Sequence, residues 1–247
     1  MTSLRHSAQY RVRFDEAGPD GLARTSGLLR YAQDVAWRHS EAVGLDRAWY
    51  AERGLGWVVR AAQLEVRRPV PLGAELDVTT EVLGFQRIWA RRRAECRLPD
   101  GELGAWVETD WVVLDDRGVL ARVPPELIER FPTPPVASAL LRVRQDAPPE
   151  RVARRRLDVR RQDIDPMNHA NNAVFVDWIE EVLDGVGLVR DCPRRYRLEF
   201  AAPAVLGMTL DATAWPAAGE KAWHVRLSAP DGTVVLRALV EQGEANG

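Results

Sequence analysis

Apolar residues recur along this chain with two periods, and the periods alternate. Leu28, Tyr31, Ala32, Val35 and Ala36 fall at i, i+3, i+4, i+7 and i+8, one face of an α-helix. Phe175, Trp178, Ile179, Val182 and Leu183 repeat that spacing 147 positions later. Gly44 and the Gly185-to-Gly187 stretch mark the predicted helix ends, because glycine takes the left-handed C′ conformation without penalty. Alternating runs before each helix predict strands: Tyr10, Val12 and Phe14 in the first case, Leu157 and Val159 in the second. β-rich runs follow the first helix at 57–68, 74–83, 87–98 and 105–115, and the second at 195–201, 208–215, 222–228 and 233–242. Short turns between them favour antiparallel pairing. A long apolar helix followed by such strands predicts an α+β fold in which a sheet curls around a central helix.

The pattern is doubled because the sequence is. Residues 63–78 read QLEVRRPVPLGAELDV and residues 197–212 read RLEFAAPAVLGMTLDA. Leu64, Glu65, Pro69, Leu72, Gly73, Leu76 and Asp77 return 134 positions later as Leu198, Glu199, Pro203, Leu206, Gly207, Leu210 and Asp211. Pro99-Asp100-Gly101 and Pro230-Asp231-Gly232 are matching turn signals. The offset falls from 147 to 134 because the first half carries extra residues around 45–57. Pro132, Pro134, Pro135, Pro148 and Pro149 mark the connection between copies. The predicted organisation is a first domain at 1–130, a linker at 131–153 and a second domain at 154–247.

Composition narrows the function classes. The 247 residues carry 34 basic and 36 acidic side chains, a net charge of −2 that argues against a dedicated nucleic-acid binder. No apolar run approaches the roughly 20 residues that span a bilayer, and the first residues lack a signal-peptide core. Cys96 and Cys192 cannot form a disulfide framework or a zinc site by themselves. The expectation is a soluble cytoplasmic protein with no membrane partner, no metal and no cofactor.

Polar groups concentrate before the second helix, where residues 163–172 read DIDPMNHANN. At the helix offset Gly18 falls opposite Asp165, Leu22 opposite His169 and Thr25 opposite Asn172. The first copy keeps the scaffold and lacks the aspartate–histidine pair, as expected where a duplicated fold retains one active site. Asparagines here are also ordinary helix caps, so Asn171 and Asn172 carry both readings. A helix N-terminus presents unpaired N–H groups and a positive dipole end to a developing oxyanion. A carboxylate beside it can act as general base or nucleophile. Such parts suit a thioester, whose thiol leaves without a strong acid, its pKa being about 8.5.

The segment DIDPMNHANNAVFVDWIEE resembles the active-site segment of hotdog-fold thioesterases: aspartate, three residues, then histidine, one residue, two asparagines and an aromatic on the central helix. The whole chain, from about Tyr10 to Val240, resembles the acyl-acyl carrier protein thioesterases of plants and bacteria. Residues 28–44, Trp57-Val58-Val59-Arg60, 111–114 and Arg122-Val123-Pro124-Pro125-Glu126 carry that likeness in the first half. The resemblance implies two tandem hotdog domains whose sheets join, and hydrolysis of a fatty acyl-acyl carrier protein in fatty acid biosynthesis. The first domain would shape the acyl pocket and the second supply the chemistry, and a homodimer is compatible with the family.

Implied catalytic residues are Asp165, His169 and Asn168, with Glu181 matching a helical glutamate of the plant pattern; the N–H groups near Asn171, Asn172 and Ala173 would bind substrate. The plant asparagine two positions before the histidine is Met167 here, and the plant Glu-Cys pair is Pro203-Ala204. A cysteine nucleophile is therefore not expected, and an aspartate-centred mechanism is. Alternatives are an acyl-CoA thioesterase, a catalytically silent acyl-binding module and a hotdog hydratase, whose histidine–acid dyad the motif fits poorly. His6, His39 and His224 read as surface or packing residues. The arginine runs at 67–68, 91–93, 154–156 and 194–195 could steer an acidic carrier protein, although a solvated strand face explains them equally well.

Overall fold

The computed structural model describes residues 4–150, 152–186, 192–217 and 221–243. The first half runs β1 (Arg5–Arg11), α1 (Thr25–Ala42), α2 (Arg47–Glu52), β2 (Leu55–Val66), β3 (Glu75–Gln86), β4 (Trp89–Arg97), β5 (Leu103–Asp115) and α3 (Pro125–Arg130). The second runs β6 (Ala153–Asp158), α4 (Asn172–Asp184), β7 (Arg194–Phe200), β8 (Thr209–Pro216), β9 (Ala222–Ser228) and β10 (Val234–Gln242). Both long helices cover the residues whose spacing predicts them. Phe14 does not lie in β1 as expected: it opens a 3-10 turn, Phe14–Glu16, and stays 86% exposed. The Glu16 carboxylate takes the Arg13 N–H at 3.1 Å and bends the chain out of the strand.

Among the described residues, ten strands form one antiparallel sheet in the order β1-β3-β4-β5-β2-β7-β10-β9-β8-β6. The second five read the first five backwards, so the halves share one topology and meet at the β2–β7 pair. Within that pair Gln63 faces Arg197, its own repeat mate 134 positions on. The helices meet likewise: Arg30 on α1 binds Asp177 on α4, its mate 147 positions on, at 3.1 Å. Residues face their own mates in an antiparallel arrangement only at a two-fold axis. An approximate one therefore passes between β2 and β7 and between α1 and α4.

The main core is shared: Leu28 and Val35 of α1, Phe175 and Ile179 of α4, and the inward residues of both sheet halves form one cluster. The first half's extra residues form α2 and the lead into β2. Trp49, Tyr50 and Trp57 there join Phe131 in a separate small core. Among its described residues the proline-bearing connection has no regular element before β6, but it is pinned across the sheet. The Leu141 N–H donates to Asp110 at 2.9 Å, the Val143 N–H to Glu199 at 3.0 Å, and Gln145 to the carbonyls of Val225 and Ala238 at 2.9 and 3.0 Å.

Candidate active site

Each long helix is entered through the same loop. In the first half, Gly18 N–H donates to the Leu22 carbonyl, Gly21 to Gly18, Ala23 to Val70 and Arg24 to Glu16, at 2.8–3.0 Å. In the second, Asp165 donates to His169, Asn168 to Asp165, Ala170 to Ala204 and Asn171 to Asp163, at 2.7–3.0 Å. Every donor and acceptor is the mate of its counterpart. The reversal at the loop tip needs a left-handed residue, which is Gly21 at φ 73° in one loop and Asn168 at φ 64° in the other. Asparagine tolerates that region better than other residues with a β-carbon.

On this shared backbone the second loop places its polar side chains together. Asp165 Oδ1 accepts the Met167 N–H at 2.8 Å and lies 3.8 Å from His169 Nδ1. Both side chains are partly exposed, 16% for Asp165 and 24% for His169, so a substrate can reach them. Asn168 points outward at the tip and is exposed. Asn171 is the N-cap of α4 and its Oδ1 accepts the Ala173 N–H at 2.9 Å, which realises the capping reading. The Val174 N–H is taken by the Asn171 carbonyl. Ala173 is therefore not a free donor. Among the described residues the Asn172 N–H has no protein partner, as is usual for the first donors of a helix.

At the start of α1 the same position is closed. Thr25, fully buried, donates to Glu180 Oε1 at 2.5 Å and accepts from Arg194 at 3.0 Å. Tyr196 donates to the same Glu180 oxygen at 2.8 Å, and burial together with the Glu180 charge pushes its phenol pKa up. Nothing in the sequence motif links Glu180 to Thr25. Only the antiparallel packing of the helices, which sequence spacing does not reveal, brings it to Thr25. Glu181 is not brought to Asp165: it is exposed, pairs with Arg155 at 3.1 Å, and lies nine residues, about 13 Å of helix, beyond Asn172. It borders an open groove of ≈ 610 Å³ with Asp20 and Arg24 of the first half and Arg160, Asp177 and Glu180 of the second.

The remaining candidates are occupied elsewhere. His39 is buried, edge-on to Phe131 at 5.0 Å, a packing histidine as expected. Cys96 lies in the core, where burial pushes its thiol up to about 12 and keeps it inert. The arginine runs are drawn into ion pairs: Arg91 with Asp110 at 2.6 Å, Arg93 with Glu108 at 2.9 Å, Arg195 with Glu65 at 2.6 Å. Among the described residues no helix is long and apolar enough to cross a membrane, and no three His, Cys, Asp or Glu gather to hold a metal.

Comparison with known proteins gives this geometry a context. An uncharacterized protein of Mycobacterium tuberculosis is 26% identical over 191 residues, 76% of this chain and 73% of its own. A chloroplastic palmitoyl-acyl carrier protein thioesterase of Cuphea hookeriana is 25% identical over 263 residues, 96% of this chain and 62% of its own. The fold is shared with a Lactobacillus plantarum protein assigned as an oleoyl thioesterase, at TM-score 0.87 and 22% identity over 97% of each chain. It is also shared with the 12:0-ACP thioesterase of Umbellularia californica, at TM-score 0.82 and 21% identity over 98% of each chain. The profile of the acyl-ACP thioesterase N-terminal domain matches residues 3–131, that of the C-terminal domain matches residues 146–234, and the chain belongs to the acyl-ACP thioesterase family.

Proposed function

We propose that the protein hydrolyses fatty acyl-acyl carrier protein thioesters, adding water across the C–S bond to give a free fatty acid and the carrier thiol, as a soluble cytoplasmic enzyme of fatty acid biosynthesis. It does so as two tandem hotdog units, 1–130 and 154–247, joined by the strap at 131–153. The observation that carries the reading is the asymmetry of the two loops: four mated backbone hydrogen bonds, with Asp165 and His169 on one loop and Gly18 and Leu22 on the other. Asp165 acts as general base on water or as nucleophile, His169 orients the water, and the Asn172 N–H at the positive end of α4 steadies the oxyanion. The first unit shapes the acyl pocket. Relatives acting on acyl carrier protein support this carrier over CoA.

Thiol release from a panel of acyl-acyl carrier protein and acyl-CoA thioesters is the test. Release from the carrier protein set at higher kcat/KM is expected. Preference for the CoA set reassigns the carrier. Binding without release would make the chain a silent acyl-binding module and sink the hydrolase reading.

A further inference from the structure

The two-fold relation gives each polar group around one helix start a mate around the other. Thr25 and Glu180 have the mates Asn172 and Gln33, and Tyr196 and Arg194 have the mates Ala62 and Arg60. Thr25 touches Glu180 at 2.5 Å, so the axis sets Gln33 of α1 opposite Asn172 at the start of α4. Gln33 is half-buried, and among the described residues its amide makes no hydrogen bond. The ring that covers Glu180 has no counterpart beside Gln33, because Tyr196 is replaced by Ala62. Arg60, unpaired at a bulge in β2, turns instead to the Phe200 carbonyl and to Glu199. The two half-sites therefore differ in a chemically directed way. One is filled by a phenol ring and a satisfied carboxylate. The other has a small residue and a half-exposed amide with no protein partner among the described residues.

We propose that Gln33, from the first half, contacts substrate in the site built by the second: its side-chain amide donates a hydrogen bond to the carbonyl oxygen of the acyl thioester, beside the Asn172 N–H. The inference rests on the thioester-hydrolase reading. A carboxylate here, as at Glu180, would repel the negative charge that grows on that oxygen, whereas an amide stabilises it. The site is thus composite, and neither half of the chain carries it alone.

Gln33→Met keeps the length of the side chain and removes its donors; Gln33→Ala removes the amide without adding a thioether. With the full chain and the best thioester of the panel, both should lower kcat by about 10²-fold, the typical effect of losing one oxyanion donor. KM and Tm should stay near wild type. Gln33→Glu should be impaired most at high pH, its activity relative to wild type rising as the pH falls and the carboxylate takes up a proton. Full kcat in both Gln33→Met and Gln33→Ala, with Asp165→Asn inactive, overturns the Gln33 assignment and leaves the hydrolase reading standing. A fall in Tm at unchanged kcat also overturns it, since that is packing. Absence of thiol release from wild type with every thioester removes the hydrolase reading first, and the Gln33 assignment with it.

Discussion

The starts of α1 and α4 share a backbone but not a surface. Each follows a loop with mated hydrogen bonds and a left-handed tip, yet Thr25 is fully buried under Glu180 and Tyr196 while Asn171 and Asn172 are half-exposed. The difference shows what duplication permits. A helix N-terminus must satisfy or expose its free N–H groups. Once two copies share one chain, a single exposed terminus suffices for chemistry, and the other can become a joint. Thr25, Glu180, Tyr196 and Arg194 tie α1, α4 and β7 together across the axis.

The sharpest way to break the comparison is to remove charge from each loop in turn. Asp165→Asn should cut turnover by at least about 10³-fold, more than one oxyanion donor is worth, with little change in Tm. Asp15→Asn, exposed in the first half's 3-10 turn, should leave turnover within about twofold. Progress curves for thiol release beside thermal melts decide it. Equal loss in both variants would mean that chemistry is not confined to the second loop.

The reverse experiment attacks the joint. Glu180→Ala takes the acceptor from Thr25 and Tyr196 and leaves Arg194 short of a counter-charge, so stability should fall by about 3 kcal/mol. The kcat of the folded fraction should stay within a few-fold. Urea melts give the first number, and assays below the transition give the second. A collapse of kcat at unchanged stability would make the first helix start a working site rather than a joint.

Much of this was legible in the sequence because it depends on local spacing. The helix periodicities, the strand runs and the seven-residue echo all describe real elements, and the offset map placed Gly18 and Leu22 opposite Asp165 and His169 correctly. What was not legible depends on packing direction. Residues 147 apart are mates, but only the antiparallel crossing of α1 and α4, centred on Arg30 and Asp177, brings Thr25 to Glu180 and sets Gln33 against Asn172. Glu181 looked like a helical acid near the motif, yet helix rise carries it away. Phe14 continued an alternation that the Arg13–Glu16 contact interrupts. The proline-marked connection gave no hint that it would be pinned to Asp110, Glu199 and two strand carbonyls.

The halves also differ where Glu65 and Glu199, another mated pair, meet the sheet. Glu65 binds Arg195 and Arg67, whereas Glu199 gathers Arg60, Arg142 and the Val143 N–H of the strap. Burial alone would raise the Glu199 pKa, but Arg142, the Val143 N–H and Arg60 outweigh it and hold the carboxyl below its ordinary range. A depressed folded pKa means that the unfolded chain takes up the proton first. Glu199 thus contributes stability at neutral pH, and the contribution is lost as the pH falls through its depressed pKa. Glu199→Gln should cost about 1–3 kcal/mol at pH 7 and flatten the acid side of the stability curve. An acid limb as steep as that of wild type would show that the strap is not held by this charge.

The smallest expected effect separates backbone from side chain at the loop tip. Asn168 and Gly21 hold the same left-handed position, at φ 64° and 73°, and the Asn168 side chain is exposed. If asparagine stands there for its conformation, Asn168→Gly copies the first loop and should change stability by only a few tenths of a kcal/mol, with turnover reduced less than about threefold. Asn168→Ala keeps a β-carbon that the left-handed region disfavours and should cost about 1 kcal/mol. Stability falling in alanine but not glycine, at near-constant kcat in both, would assign the residue to the turn. If Asn168→Gly instead loses a hundredfold in kcat at full stability, the side chain touches the reaction. The second loop would then differ from the first at a third position of the proposed chemistry, beside Asp165 and His169.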